Sequence, residues 1–185
     1  MNKTFLLFAF AVLFIAGNQP LKAQEAVANK LFYTELFGPG VLMSANFDGR
    51  FNSNERLGLG YRIGAGFGVS AERNFFWNND RKRQSYYTIP VGLNYVLGKP
   101  NSSSSFEVGA GATFLTKKVS PWYTSGSYYN TSEDEKPGHV IGFFTFMYRK
   151  IPVDGGFSFR VGFTPIIGTS GDLIPMGAVG FGWAF

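Results

Sequence analysis

The stretch Leu57-Gly58-Leu59-Gly60-Tyr61-Arg62-Ile63-Gly64-Ala65-Gly66-Phe67-Gly68 decides the fold. Leu57, Leu59, Tyr61, Ile63, Ala65 and Phe67 fall at every second position. Gly58, Gly60, Arg62, Gly64, Gly66 and Gly68 fill the places between. Period two is the mark of a β-strand, whose successive side chains point to opposite faces. A strand face made mostly of glycine weakens the strand and covers nothing, so it is a poor solvent face. It suits the crowded interior of a narrow closed barrel, where small residues leave room for a few large ones. The bulky face then points outward, to lipid.

The same alternation recurs down the chain. In 106–115 the apolar face is Phe106, Val108, Ala110, Ala112 and Phe114, against Glu107, Gly109, Gly111, Thr113 and Leu115. In 89–97, Ile89, Val91, Leu93, Tyr95 and Leu97 oppose Pro90, Gly92, Asn94 and Val96. In 157–164, Phe157, Phe159, Val161 and Phe163 oppose Ser158, Arg160, Gly162 and Thr164. In 177–185, Val179, Phe181, Trp183 and Phe185 oppose Ala178, Gly180, Gly182 and Ala184. Segment 140–149 is apolar on both faces; Thr145 and Arg149 are placed inward. The competing reading is a soluble β-sandwich whose glycines mark bulges.

Composition narrows the field further. The chain has 185 residues, enough for one domain. It has no Cys and one His, which excludes disulfide scaffolds, thiolate chemistry and multi-His metal sites. Charged residues make up 16% and aromatic residues 18%, with 24 Gly and 21 Phe. Lys3 followed by the apolar run 5–16, with breakers Gly17 and Pro20, reads as a secretory signal peptide over 1–23, cleaved after Ala23. Twelve apolar residues fall short of the ~20 that a transmembrane helix needs. Residues 24–185 form the barrel domain. Without Lys3 and Lys22 the mature chain carries 15 basic and 12 acidic residues, a net of +3, too little to argue for nucleic-acid binding.

Connection lengths set the strand count. Short turns are expected at 49–55, 99–104 and 152–156, long loops at 70–86 and 117–138, and an intermediate one at 168–175. Long and short alternate, as they do when short turns are periplasmic and long loops external. A chain that starts in the periplasm then needs an even strand number. Splitting 31–50 at Gly38-Pro39-Gly40 into strands 31–37 and 41–50 gives eight. The alternative is one long strand kinked at Gly38–Gly40. The expected fold is an all-β, eight-stranded antiparallel transmembrane β-barrel.

The chain resembles the small Gram-negative outer-membrane β-barrels of the OmpA/OmpX size class. Three features carry the resemblance: the signal segment, the Gly/aromatic alternation and the final strand Ala178–Phe185. A terminal aromatic at Phe185, with Trp183 and Phe181 at alternate positions before it, resembles the assembly signal read by the barrel insertion machinery. The resemblance spans 31–185 and implies a porin-like architecture, location in the outer membrane after secretion, and outer-membrane lipid as a partner. It does not imply an activity.

Glu35, Arg62, Glu107, Arg149 and Arg160 fall on the small-residue face of separate strands. Isolated charges in a narrow lumen are costly, so an ion-pair network that plugs the barrel is expected. Arg73, Arg81, Lys82 and Arg83, near Phe75, Phe76 and Trp77, suit phosphate groups of lipopolysaccharide. Trp122, Tyr123, Tyr128 and Tyr129 suit an interface or an adhesive contact through loop 117–138. His139 is the one conventional general base. Small-barrel lipid A deacylases, which the chain resembles in size, place a Ser two residues after the His; here Ile141 stands there. Ser132 and Asp134 have no recognisable spacing to it. Glu133-Asp134-Glu135 lacks the spacing of a calcium loop. No catalytic residue, cofactor or metal is expected. The expected role is non-enzymatic envelope contact through the loops 70–86 and 117–138, with lipid, a surface or another protein. A narrow solute channel and a lipid A-modifying enzyme are the alternatives.

Overall fold

The computed structural model describes residues 27–71, 83–119, 138–168 and 173–185. The expected signal peptide lies outside them. The strands are β1 (Lys30–Phe37), β2 (Met43–Arg50), β3 (Gly58–Ala71), β4 (Arg83–Gly98), β5 (Ser104–Val119), β6 (Gly138–Lys150), β7 (Gly156–Phe163), β8 (Ile166–Ile167), β9 (Leu173–Ile174) and β10 (Gly177–Ala184).

Ten segments make eight staves. β7 and β8 pair with β6 in one continuous register, with Phe163 opposite Phe146 and Ile166 opposite Phe143. The break falls at Thr164-Pro165, because proline has no N–H to give to the ladder. Its carbonyl still accepts from the Phe144 N–H at 2.9 Å. β9 and β10 likewise face β8 and β7 in one register, with Pro175 at the interruption. Each stave is antiparallel to its neighbours, and β1 pairs with β10 to close an eight-stranded barrel.

The first hairpin settles how 31–50 folds. A 3-10 turn, Gly38–Gly40, separates β1 from β2. β2 begins at Met43, two residues later than expected, because Val41 and Leu42 belong to the turn. Val41 donates its N–H to the Gly38 carbonyl at 2.9 Å, and Phe37 donates to Leu42 at 2.8 Å. Phe37 (φ 61°) and Val41 (φ 75°) both adopt the positive φ that favours glycine, and a β-branched residue there is strained. The turn folds inward. Thr113 Oγ1 donates to the Pro39 carbonyl at 2.8 Å and Thr88 Oγ1 to the Gly40 carbonyl at 3.1 Å.

The glycines of the inner face make room for neighbours. A Cβ on Gly68 would lie 2.5 Å from the Tyr86 ring, and one on Gly111 would lie 2.5 Å from Phe143. Gly182 stands in the same relation to Tyr33, at 2.5 Å from its Cβ. Large inward side chains therefore lie flat across glycines of the adjacent strand, which is how so narrow a lumen is filled.

Three short connections, 51–57, 99–103 and 151–155, lie at one end of the barrel, the turn end. Arg56 ties them together. It donates to Pro100 at 3.2 Å, Ser102 at 2.9 Å and Ile151 at 3.2 Å, all main-chain carbonyls. Desolvation among these turns lowers its pKa, but a guanidinium stays charged at neutral pH. The β1–β2 turn lies at the opposite, loop end, with the strand ends at Ala71, Arg83, Val119 and Gly138.

Candidate functional site

The interior separates into an apolar layer and a charged layer. Toward the loop end, Val41, Tyr86, Leu115, Ile141, Phe143 and Ile166 pack together, with Met176 against them. Val41 reaches this layer from the inward-folded turn. Toward the turn end, Ala28, Leu31, Tyr33 and Ala184 form a smaller cluster with Ile151 against it.

The charged layer holds the five residues singled out by alternation, all buried. Arg62 donates to Glu35 at 2.7 Å. Glu107 accepts from Arg149 at 2.7 Å on one oxygen and from Arg160 at 2.8 Å on the other. Thr145 Oγ1 adds a third donor to Glu107 at 3.2 Å. Glu35–Arg62 and the Glu107 group are separate pairings, bridged through the Tyr33 ring. The guanidinium carbons of Arg160 and Arg62 lie 4.6 and 5.7 Å from its centroid.

Four further members of the layer do not figure among those five. Asp48 accepts from Arg149 at 3.2 Å and from Arg50, while Asn94 donates to its other oxygen. Arg50 also donates to Asn94 at 2.6 Å and to the Gly58 carbonyl at 2.9 Å. Asn46 accepts from Arg62 at 3.0 Å. The signal was present in 43–50, where Ser44, Asn46, Asp48 and Arg50 alternate with Met43, Ala45, Phe47 and Gly49. The layer thus contains four arginines and three carboxylates, a net of +1. Its charged side chains are at most 3% exposed.

The outer face is its opposite in chemistry. Leu59, Ile63, Leu93, Val161 and Phe181 are each about half exposed, in the range 45–55%. Phe181, Trp183 and Phe185 lie outward on and just after β10. Phe181 stacks on Phe157 with centroids 6.3 Å apart. Together with Phe32, Thr34 and Trp183 they line a shallow apolar groove along the seam where the first and last staves meet.

Arg73, Arg81 and Lys82 lie outside the described residues, as do Ser132 to Glu135 and the aromatic residues 122–129. Arg83 begins β4. His139 is exposed near the start of β6, with Nδ1 at 3.1 Å from the Leu115 carbonyl. Ile141, two residues on, is buried in the apolar layer. Among the described residues no cluster of three or more potential metal ligands occurs.

The geometry defines a small closed β-barrel with an apolar exterior and a charged, paired interior. No protein-family model matches the chain, and no curated protein or solved structure matches it.

Proposed function

We propose that this protein is an integral outer-membrane β-barrel with a non-enzymatic envelope role, delivered by the signal segment 1–23. The observation that carries the proposal is the inversion of the two faces. Half-exposed Leu, Ile, Val and Phe cover the outside, while seven charged side chains are sealed inside. In water the exterior would be a large sticky patch. In a bilayer it is the band that meets hydrocarbon. Tyr61, Tyr95, Tyr148 and Trp183 stand outward toward the turn end and Tyr87 toward the loop end, as amphipathic rings do at the two interfaces.

The lumen acts as a plug. An aqueous pore leaves its lining open to water, whereas Glu35, Glu107, Arg160, Met147 and Ile166 are at most 1% exposed. The working surface is then the loop end, where the connections 70–86 and 117–138 are available to lipid, to a surface or to another protein. Arg73, Arg81, Lys82 and Arg83 are the proposed lipopolysaccharide contacts, and Phe181, Trp183 and Phe185 the proposed assembly signal.

Refolding into dye-loaded vesicles tests the proposal. A protease-resistant, heat-modifiable band with dye retained supports it. Failure to insert removes the membrane reading. Insertion with steady single-channel currents replaces the plug with a narrow channel. Altered lipid A in a deletion strain favours the enzyme.

A further inference from the structure

The charged layer is short of negative charge and of acceptors. Arg62 and Arg160 each engage a carboxylate through Nη2 alone, leaving Nε and Nη1 of both without a partner. Tyr33 Oη and Ser158 Oγ are also buried and unpartnered. These groups are neighbours. Both guanidiniums lie against the Tyr33 ring, at 4.6 and 5.7 Å. Tyr33 and Ser158 flank Gly182 in one register row, and Glu35 and Arg160 flank Gly180 in the next inward row. Tyr33 and Arg160 lie over these glycines, since a Cβ on Gly182 would come within 2.5 Å of Tyr33 Cβ and one on Gly180 within 2.9 Å of Arg160 Cγ, which holds both side chains against the β10 wall. Against four unpartnered guanidinium nitrogens, which can only donate, and two hydroxyls stands one unpartnered carboxylate oxygen, Glu35 Oε1.

Buried donors without acceptors and an uncompensated buried cation are both costly. A water molecule answers the first cost and leaves the second. A small anion answers both. We infer that the lumen binds a monovalent anion of chloride size between Arg62, Arg160, Tyr33 and Ser158, as a counter-ion built into the fold. The ligand is held by charge-assisted N–H and O–H donors, which favour a compact anion over a bulky carboxylate such as gluconate. The site serves stability rather than transport, and it stands on the interior geometry whether or not the outer face meets a membrane.

The test is unfolding of the full barrel, refolded separately in chloride and in gluconate at one ionic strength so that screening is equal. Urea is added to bring the thermal midpoint into range. The expected result is a midpoint that rises with chloride at constant ionic strength, by about 3–5 °C per tenfold increase once the site approaches saturation. Bromide should substitute. Ser158→Ala and Tyr33→Phe each remove one donor without touching an ion pair. Each should move the half-maximal chloride concentration up by about tenfold. Equal midpoints in chloride and gluconate would overturn the inference. So would chloride dependence that both variants retain at the wild-type concentration, since the effect would then arise elsewhere.

Discussion

Replacing Glu107 by Gln removes the hub of the charged layer and little else. Glutamine keeps the shape but exchanges one acceptor oxygen for an NH2 group. Glu107 holds Arg149 at 2.7 Å and Arg160 at 2.8 Å, so one of the two must meet a donor instead of an acceptor. The interior charge rises from +1 to +2. Removing one partner of a buried pair typically costs about 3–5 kcal/mol, because the survivor is left charged and desolvated. Arg149 keeps Asp48 at 3.2 Å, which puts the expected loss near the lower end, about 3 kcal/mol. Set against a total stability of roughly 5–15 kcal/mol, that is a large fraction. Urea unfolding in lipid vesicles, followed by tryptophan fluorescence, reads it directly. Adding Arg160→Gln to the variant restores the charge to its original value and should recover part of the loss. Glutamine fills the same space, so no conductance should open. A loss below about 1 kcal/mol for Glu107→Gln would refute the reasoning that these buried pairs hold the lumen together.

Ile63→Arg and Val161→Arg place a charge on the bulky face within the strands and should each cost about 2–4 kcal/mol in vesicle unfolding. Losses below about 0.5 kcal/mol at both would mean that this face does not meet hydrocarbon. Phe185→Asp should impair insertion more than Ala184→Asp, since Phe185 is outward and Ala184 inward; equal folded yields would count against the terminal strand as an assembly signal. Phe37→Gly relieves an exposed residue at φ 61° and should stabilise the barrel by about 1 kcal/mol, provided the turn keeps its shape. Arg56→Ala removes three main-chain contacts at the turn end and should cost about 1–2 kcal/mol; an unchanged urea midpoint would show that the turns hold without it.

Period-two alternation was sufficient to place the staves and their faces, because one slip of register would reverse every side chain. Arg62, Glu107 and Arg160 could be placed inward on that ground alone, each being the single charge on the face opposite the bulky apolar residues. Residues 41–50 were harder. The hairpin depended on an inward-folded turn whose Phe37 and Val41 occupy positive φ, which no local propensity favours. The alternation of Ser44, Asn46, Asp48 and Arg50 with Met43, Ala45, Phe47 and Gly49 nevertheless puts Asp48 and Arg50 inward, which makes three carboxylates in the layer where the five expected residues supply two. The pairing partners were also beyond reach. Which arginine meets Glu107 depends on the stagger of staves far apart in the chain, such as Glu107 and Arg160. Arg56 carried no signal, since it binds main-chain carbonyls that any sequence would present. The interruption of the last two staves at Pro165 and Pro175 is readable in hindsight from proline alone.

The membrane reading stands or falls on what surrounds the outer face. The chain has no cysteine, so single cysteines at Ile63, Leu93 and Val161 can each carry a spin label at one defined outward site. With the barrel folded into vesicles, the accessibility of each label to oxygen and to a water-soluble nickel reagent is measured. The expected result is high oxygen and low nickel accessibility at all three. High nickel accessibility at all three, in protein shown to be folded, would place that face in water and contradict the membrane barrel.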